Sequence, residues 1–554
     1  MRRHRLAAAG AGLVLTFGLG GLGVPTTAAG SSATAAIDLE RMTIPDLQRA
    51  MNAGTLSSAA LTGRYLDRIQ EVDRRLHSVV TVNPDALAQA RQSDQRRRSG
   101  RLLGPMDGIP VLLKDNIGTG DRQPTTAGSL ALRKARPADA FLVSRLRAGG
   151  AVLLGKANLS EWANFRSTQS SSGWSATGGQ TANPYALDRN PCGSSSGSGA
   201  AVAAHLAPVA IGTETDGSIV CPSGANALVG VKPTIGRVSR TGIVPISAAQ
   251  DTAGPMTRNV TDAAILLAAV QGADPADPPT GEADNPADYT RFLDRNALRG
   301  TRIGVWRAGN TGVSDETDAI FDRTVRTLRD LGATVVDPVE PQGVDEVGGP
   351  EFEALLCEFK HDLNAYLAAT PGEHPGTLAE LIAFNRANAA RELPYFGQEL
   401  FEAAQATSGD PADPACAEAR AAATSAARQA IDGALTEHDL AAIVAPTGSP
   451  AWPTDLVNGD HFVLGSSTPA AVAGYPNVTV PAGFAFGLPV GVSFMASRWA
   501  EPRLLGLAYA YEQATKARRA PRLLPTAPLE SGLDLTPAPR QAVPERTDPG
   551  GRAR

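Results

Sequence analysis

The chain changes its hydrophobic rhythm several times, and each change predicts a change of structure. Residues 38–100 set apolar side chains at helical spacing among charged ones, as in IPDLQRAMNAGTLSSAALTGRYLDRIQEVDRRL. Recurrence every three to four positions predicts amphipathic helices, and TLSSAA offers hydroxyls able to cap the N–H groups of a helix start. From Gly108 the pattern differs. GIPVLLKDNI and GGAVLLGKANL are short apolar runs bounded by glycine, the form of a buried strand. Helical stretches such as DAFLVSRLRAGG lie between them. This alternation predicts an α/β chain, with a sheet covered by helices on both faces.

Further along, TRIGVWRAG reads as another strand, followed by a polar helix around Asp318–Leu331. Residues 350–435 look almost wholly helical, with FEALLCEFKHDLNAYLAA and AEARAAATSAARQAIDGAL, and are expected to form an inserted cap. Strands return in LAAIVAPT, NVTVPAGFAF and PVGVSFMA, and PRLLGLAYAYEQATKA closes the pattern as a helix. Three units follow: a leader over 1–36, a folded domain over 37–524 with its core near 105–260, and a tail over 525–554. The tail, rich in proline, arginine and small residues, is expected to be disordered. No internal repeat is found.

Composition narrows the function classes. With 42% hydrophobic residues in 554, a substantial core can be buried. The 57 glycines and 41 prolines favour a loop-rich enzyme over a helical bundle. A net charge of -5 lacks the basic footprint of a nucleic-acid binder. The first residues combine Arg2, Arg3 and Arg5, an apolar stretch and a small-residue exit, the three parts of a secretory signal. Cleavage after Ala29 or Ala35 fits, and the protein is expected outside the cytoplasm. A single membrane anchor is the alternative, weakened by the glycines in the stretch; no other segment reads as a membrane span. The four cysteines (Cys192, Cys221, Cys357, Cys416) and seven histidines show no zinc-binding spacing, so no metal is expected. Export permits a disulfide, and Cys357 with Cys416, in one helical region, is the favoured pair.

The stretch PCGSSSGSG, Pro191–Gly199, admits several chemistries. A linker is unsuited to its context, because AAVAAHL continues directly as a compact apolar helix. A phosphate loop needs a lysine at the Walker spacing, and none is present. Gly193 to Gly197 is a literal G-x-S-x-G around Ser195, but an esterase elbow needs an apolar strand leading into the serine. ALDRNPC is no such strand, and His205, His361, His374 and His438 are poorly placed for a triad.

A fourth option joins distant segments. GIPVLLKDN, TTAGS (Thr125–Ser129), NPY…PCGSSSGSG and GTETDGSI occur in order, and together they resemble the amidase signature family over roughly residues 40–520. The resemblance implies that family's fold, a mixed central sheet covered by helices on both faces with a helical insert in the C-terminal half. It implies Ser218 as nucleophile, Ser194 as a bridging serine preceded by a cis bond from Gly193, and Lys114 as the base. It also implies an oxyanion hole built from the backbone N–H groups of Thr215, Asp216, Gly217 and Ser218, with the Thr213 hydroxyl supporting the network. No cofactor is implied. The chemistry suits these residue types. A serine hydroxyl attacks well only when a base takes its proton, and a lysine serves as that base only when neutral, which burial favours.

The match departs from the common family pattern in places. Asp216 stands where glycine is usual, Val220 where arginine is frequent, and the serine run begins Cys-Gly. With NLSEWANFR, SGWSATGGQTANPY and GIVPISAAQDTAGPM, the chain looks most similar to the bacterial peptide amidase branch, whose members hydrolyse C-terminal peptide amides to carboxylate and ammonia. The implied substrate pocket includes the 166–180 loop with Trp174 and Thr177, although Trp162, Phe165 and Trp174 could equally be core. Three alternatives stay open: a fatty, aliphatic or aryl amide hydrolase, a glutamyl-tRNA amidotransferase subunit, and a binding protein on a decayed amidase scaffold.

Overall fold

In the computed structural model, residues 38–528 are described. The leader, and residues 529–554 of the tail, lie outside them. The helix Ser58–Val72 starts where TLSSAA places it: the Ser57 side chain accepts from the Ala60 N–H. The segment is not all helical, however. Val79–Val82 forms a strand, β1. Four residues are too few to display a period, and the helices on either side mask them.

The uninterrupted apolar runs become the inner strands of one sheet, because a strand buried on both faces has no polar side to show. Its eleven strands are β1, β2 (Pro110–Lys114), β3 (Val152–Ala157), β4 (Val209–Glu214), β5 (Val229–Lys232), β6 (Thr252–Thr257), β7 (Arg302–Val305), β8 (Thr334–Val336), β9 (Ala442–Pro446), β10 (Asn477–Ala485) and β11 (Leu488–Met495). They lie in the order β1-β3-β2-β4-β6-β5-β10-β11-β9-β7-β8. The pairs β3–β2 and β2–β4 are parallel, as are β9–β7 and β7–β8. The pairs from β4 through β6, β5, β10 and β11 to β9 are antiparallel. The sheet is therefore mixed.

Two features of this topology position the site. Val111, Leu112 and Leu113 pair with Val209, Ala210 and Ile211, so Lys114 and Thr213 emerge side by side at the same end of adjacent parallel strands. The next strand, β6, runs back against β4 and pairs Thr252 with Glu214. The segment just before β6 therefore meets the turn that follows β4.

Residues 348–437 contribute helices and no strand. The helix Gly348–Ala369 packs Phe359, Leu363 and Leu367 with Leu378, Leu381 and Phe401 of the following helices, around Trp162 and Phe165. Trp162 meets Phe401 at 5.7 Å and Phe165 meets Phe359 at 5.0 Å between ring centroids. Trp162 and Phe165 are thus core residues that join the insert to the sheet domain. A disulfide between Cys357 and Cys416 joins the helices Gly348–Ala369 and Pro414–Glu437. Phe359 is fully buried, so Phe359→Ala is expected to lower unfolding free energy by about 3–5 kcal/mol. Denaturant melts check this. Among the described residues no helix is long and apolar enough to cross a membrane.

Candidate active site

Lys114 ends β2 with its side chain wholly buried. Its Nζ lies 2.7 Å from Ser194 Oγ, 2.9 Å from Thr213 Oγ1 and 3.1 Å from the Thr213 carbonyl oxygen. Asn116 Nδ2 donates to the same Thr213 hydroxyl at 3.0 Å. Every atom that Lys114 bonds is neutral. Burial pushes its pKa down to about 7, opposed by the more distant carboxylates of Asp251 and Glu214. A lysine in such surroundings is in large part a free amine at neutral pH, able to accept a proton.

The serine run divides its labour. Ser195, centre of the G-x-S-x-G match, donates to the Thr213 carbonyl at 3.0 Å and accepts the Thr213 N–H at 3.2 Å. It is a buried strand-to-loop clamp. Ser196 donates to the Cys192 carbonyl at 2.7 Å and Ser198 to the Ile211 carbonyl at 3.3 Å. Ser194 alone presents its hydroxyl to the lysine. It follows a cis bond from Gly193. A Cβ on Gly193 would collide with Ser160 Oγ and lie 2.8 Å from Ser172 Oγ, so only glycine fits there. After Ser195 the helix Ser196–Ala203 begins at once, because the small side chains let it sit in the sheet domain's interior.

Ser218 comes to the run from the other side. The Ser195 N–H donates to the Ser218 carbonyl at 3.2 Å, which holds Ser218 against the residue after Ser194, and among the described residues no hydrogen bond joins the Ser194 and Ser218 hydroxyls. Gly217 takes φ +78°, and a Cβ there would lie 3.0 Å from Ser467 Oγ. Just beyond, Glu214 accepts the N–H groups of Ile219 and Val220 at 2.7 and 3.0 Å, satisfying the start of the helix Val220–Ala225. The N–H groups of Asp216, Gly217 and Ser218 have no acceptor among the described residues. They are the free donors of this turn.

Asp216, the departure from glycine, has partners of its own. Its carboxylate accepts from Ser467 Oγ at 2.5 Å and Thr468 Oγ1 at 2.6 Å, tying the turn to the segment after β9. Burial raises its pKa, against those two hydrogen bonds. A second staple was not anticipated from sequence: Cys192 and Cys221 form a disulfide that joins the residues flanking Ser194 and Ser218. Its signal was available, since one cysteine lies just before the first serine and the other just after the second. Asn116, Glu214, Gln250, Asp251, Ser467 and Thr468 carried no recognisable spacing.

Trp174 and Thr177 occupy the 166–180 loop as expected of it, but their environments differ. Trp174 is 5% exposed and packs edge-on against Tyr395 and Phe396 at 5.6 and 5.2 Å. The Thr177 N–H donates to the Gly128 carbonyl at 3.0 Å, and its hydroxyl lies 3.4 Å from Thr126 Oγ1. The loop is anchored from below by the buried pair of Arg166 and Glu161 at 3.0 Å, and Glu161 also accepts the Ala176 N–H at 2.8 Å. Asp460 holds its middle through the Ser172 N–H at 2.9 Å. A cavity of about 390 Å³, lined among others by Asn116, Thr213, Thr215, Asp251 and Tyr366, lies against the lysine network.

This arrangement can do acid–base and nucleophilic chemistry, and comparison with known proteins agrees. The family model for amidases matches residues 60–505. The native peptide amidase from Stenotrophomonas maltophilia is 51% identical, with a TM-score of 0.82 over 87% of this chain and 99% of that one. A peptide amidase in complex with the competitive inhibitor chymostatin is 52% identical, with a TM-score of 0.84 over the same shares. A probable amidase of Arabidopsis thaliana is 41% identical over 500 residues, 88% of this chain and 92% of its own. The chain belongs to the amidase signature family, and it is a hydrolase acting on amides.

Proposed function

We propose that this amidase is exported and hydrolyses the C-terminal carboxamide of peptides to a free carboxylate and ammonia, with Ser218, Ser194 and Lys114 as its catalytic residues. The observation that carries the assignment is the neutral surroundings of Lys114, fully buried and 2.7 Å from Ser194 Oγ. Ser218 Oγ attacks the amide carbon as its proton passes through the Ser194 hydroxyl to Lys114 Nζ. The oxyanion forms against the main-chain N–H groups of Thr215, Asp216, Gly217 and Ser218. The proton returns by the same route to the amide nitrogen, and ammonia leaves an acyl-serine. A water molecule, deprotonated through the same pair, attacks the ester, and the peptide carboxylate departs.

The likeness to peptide amidases at 51–52% identity supports the substrate class. Export is supported by the composition of the leader and by two disulfides in the folded domain, which persist in oxidising compartments. The test is a panel of peptide amides, free peptides, fatty amides and aryl amides offered to the purified protein. Ammonia release is expected from peptide amides, with mass spectrometry showing internal peptide bonds intact. Faster turnover of fatty or aryl amides, or cleavage inside the peptides, overturns the assignment.

A further inference from the structure

The turn after β4 is held from behind by a buried network that the catalytic scheme does not use. Gln250, 1% exposed, precedes β6 and donates its Nε2 to the Thr215 carbonyl at 3.0 Å and to Glu351 Oε1 at 2.5 Å. Its own Oε1 accepts from Arg420 Nη1 at 2.9 Å. Arg420 forks onto Glu358 at 2.7 and 2.6 Å, and Glu358 also takes the Ser247 hydroxyl at 2.6 Å. The Thr215 hydroxyl is bound as well, donating to Asp251 at 2.5 Å. Glu351 and Glu358 lie on the helix Gly348–Ala369 and Arg420 on Pro414–Glu437, the two helices joined by Cys357–Cys416.

The carbonyl of Thr215 and the N–H of Asp216 belong to one peptide plane. That bond is trans, so the two groups point in opposite directions. Whatever fixes the carbonyl aims the N–H. We infer that Gln250 is a positioning residue of the oxyanion hole: by holding the Thr215 carbonyl it directs the Asp216 N–H at the developing oxyanion, and the helical insert sets its place through Arg420. The bond also polarises the peptide, strengthening the N–H on its far side. A glutamine serves because one amide both donates forward and accepts from behind. Burial, with the Asp216 carboxylate facing it, pushes Glu351 up to about 8. Its neutral form is thereby favoured, and Arg420 forks onto Glu358.

The inference rests on the catalytic assignment proposed above, and the experiment separates the two. Gln250→Met keeps the length and removes the donor. Its kcat on a peptide amide is expected to fall about 10- to 100-fold, less than or comparable to loss of a whole oxyanion donor. KM, and affinity for a non-covalent peptide ligand, should stay within about threefold, as for an interaction made only in the transition state. Affinity for a peptide aldehyde, which places an oxyanion on the nucleophile, should fall by the same factor as kcat. Arg420→Lys, which loses the fork while keeping the charge, should show the same pattern with a smaller amplitude, and it carries the test should Gln250→Met fold poorly. Wild-type kcat in a folded variant, or equal losses in kcat and non-covalent binding, overturns the inference. If instead Ser218→Ala keeps its turnover, the catalytic assignment itself has failed.

Discussion

Ser218→Ala is expected to lose on the order of 10⁴- to 10⁶-fold in kcat on any amide substrate, the scale seen when a serine hydrolase loses its nucleophile. The chemistry leaves no substitute. The other serines nearby are committed: Ser195 to both polar groups of the Thr213 backbone, Ser196 to the Cys192 carbonyl and Ser198 to the Ile211 carbonyl. Ser194 is bonded to Lys114 and fully buried, whereas Ser218 is 8% exposed and closes the turn Asp216–Ser218, whose N–H groups have no acceptor among the described residues. A fluorophosphonate should therefore label wild type on Ser218 and leave Ser218→Ala unlabelled. Peptide mapping that finds the label on Ser195 would return the G-x-S-x-G reading. Thermal melts should show the variant folded, since a methyl replaces one small hydroxyl.

The second large effect concerns Lys114. Only the neutral amine accepts a proton, and burial holds its pKa near 7 against an ordinary 10.5. The profile of kcat/KM should therefore rise with pH through about 7 and then level off. Lys114→Ala should remove that limb and cost on the order of 10²- to 10⁴-fold in rate, the usual reach of a general base. A limb near 6 that survives in the variant belongs to Asp251, which burial raises to about 6 and which binds the Thr215 hydroxyl. A full wild-type rate in Lys114→Ala would sink the relay. Stability carries the same signature with a defined sign. Between pH 7 and 10.5 the unfolded chain binds a proton here that the folded chain does not. Lys114 thus makes wild type gain stability as pH rises through that window, and Lys114→Ala should lack this contribution.

The insert and the turn illustrate what a linear pattern can and cannot carry. The long helices Gly348–Ala369 and Pro414–Glu437 were legible because a period shows itself over many residues. The strands β1, β4, β5, β6 and β8 were not, being short or interrupted by glycine and proline, and their pairing comes from neighbours far along the chain. The favoured disulfide, Cys357–Cys416, is present, whereas Cys192–Cys221 is marked only by the flanking of the two serines and requires their two loops to meet. Asp216 read as a departure from the family pattern. Its meaning required Ser467 and Thr468, some 250 residues away.

By itself the sequence determined the kind of chemistry available. Lysine at the end of an apolar strand, a serine after Gly193 and a serine after Gly217 are covalent facts, and their order along the chain sufficed to place the protein among amidases. Only the tertiary structure decided which of the run's serines faces the lysine, how far the lysine's charge is suppressed, and which groups hold the turn before Ser218. Those properties are sums over surroundings. A pKa depends on all the water excluded and all the dipoles left behind, and a hydroxyl's role depends on which acceptor lies within 3 Å of it. Such neighbours come from β2, β4, the loop before β6, the insert and the segment after β9, and they become neighbours only on folding.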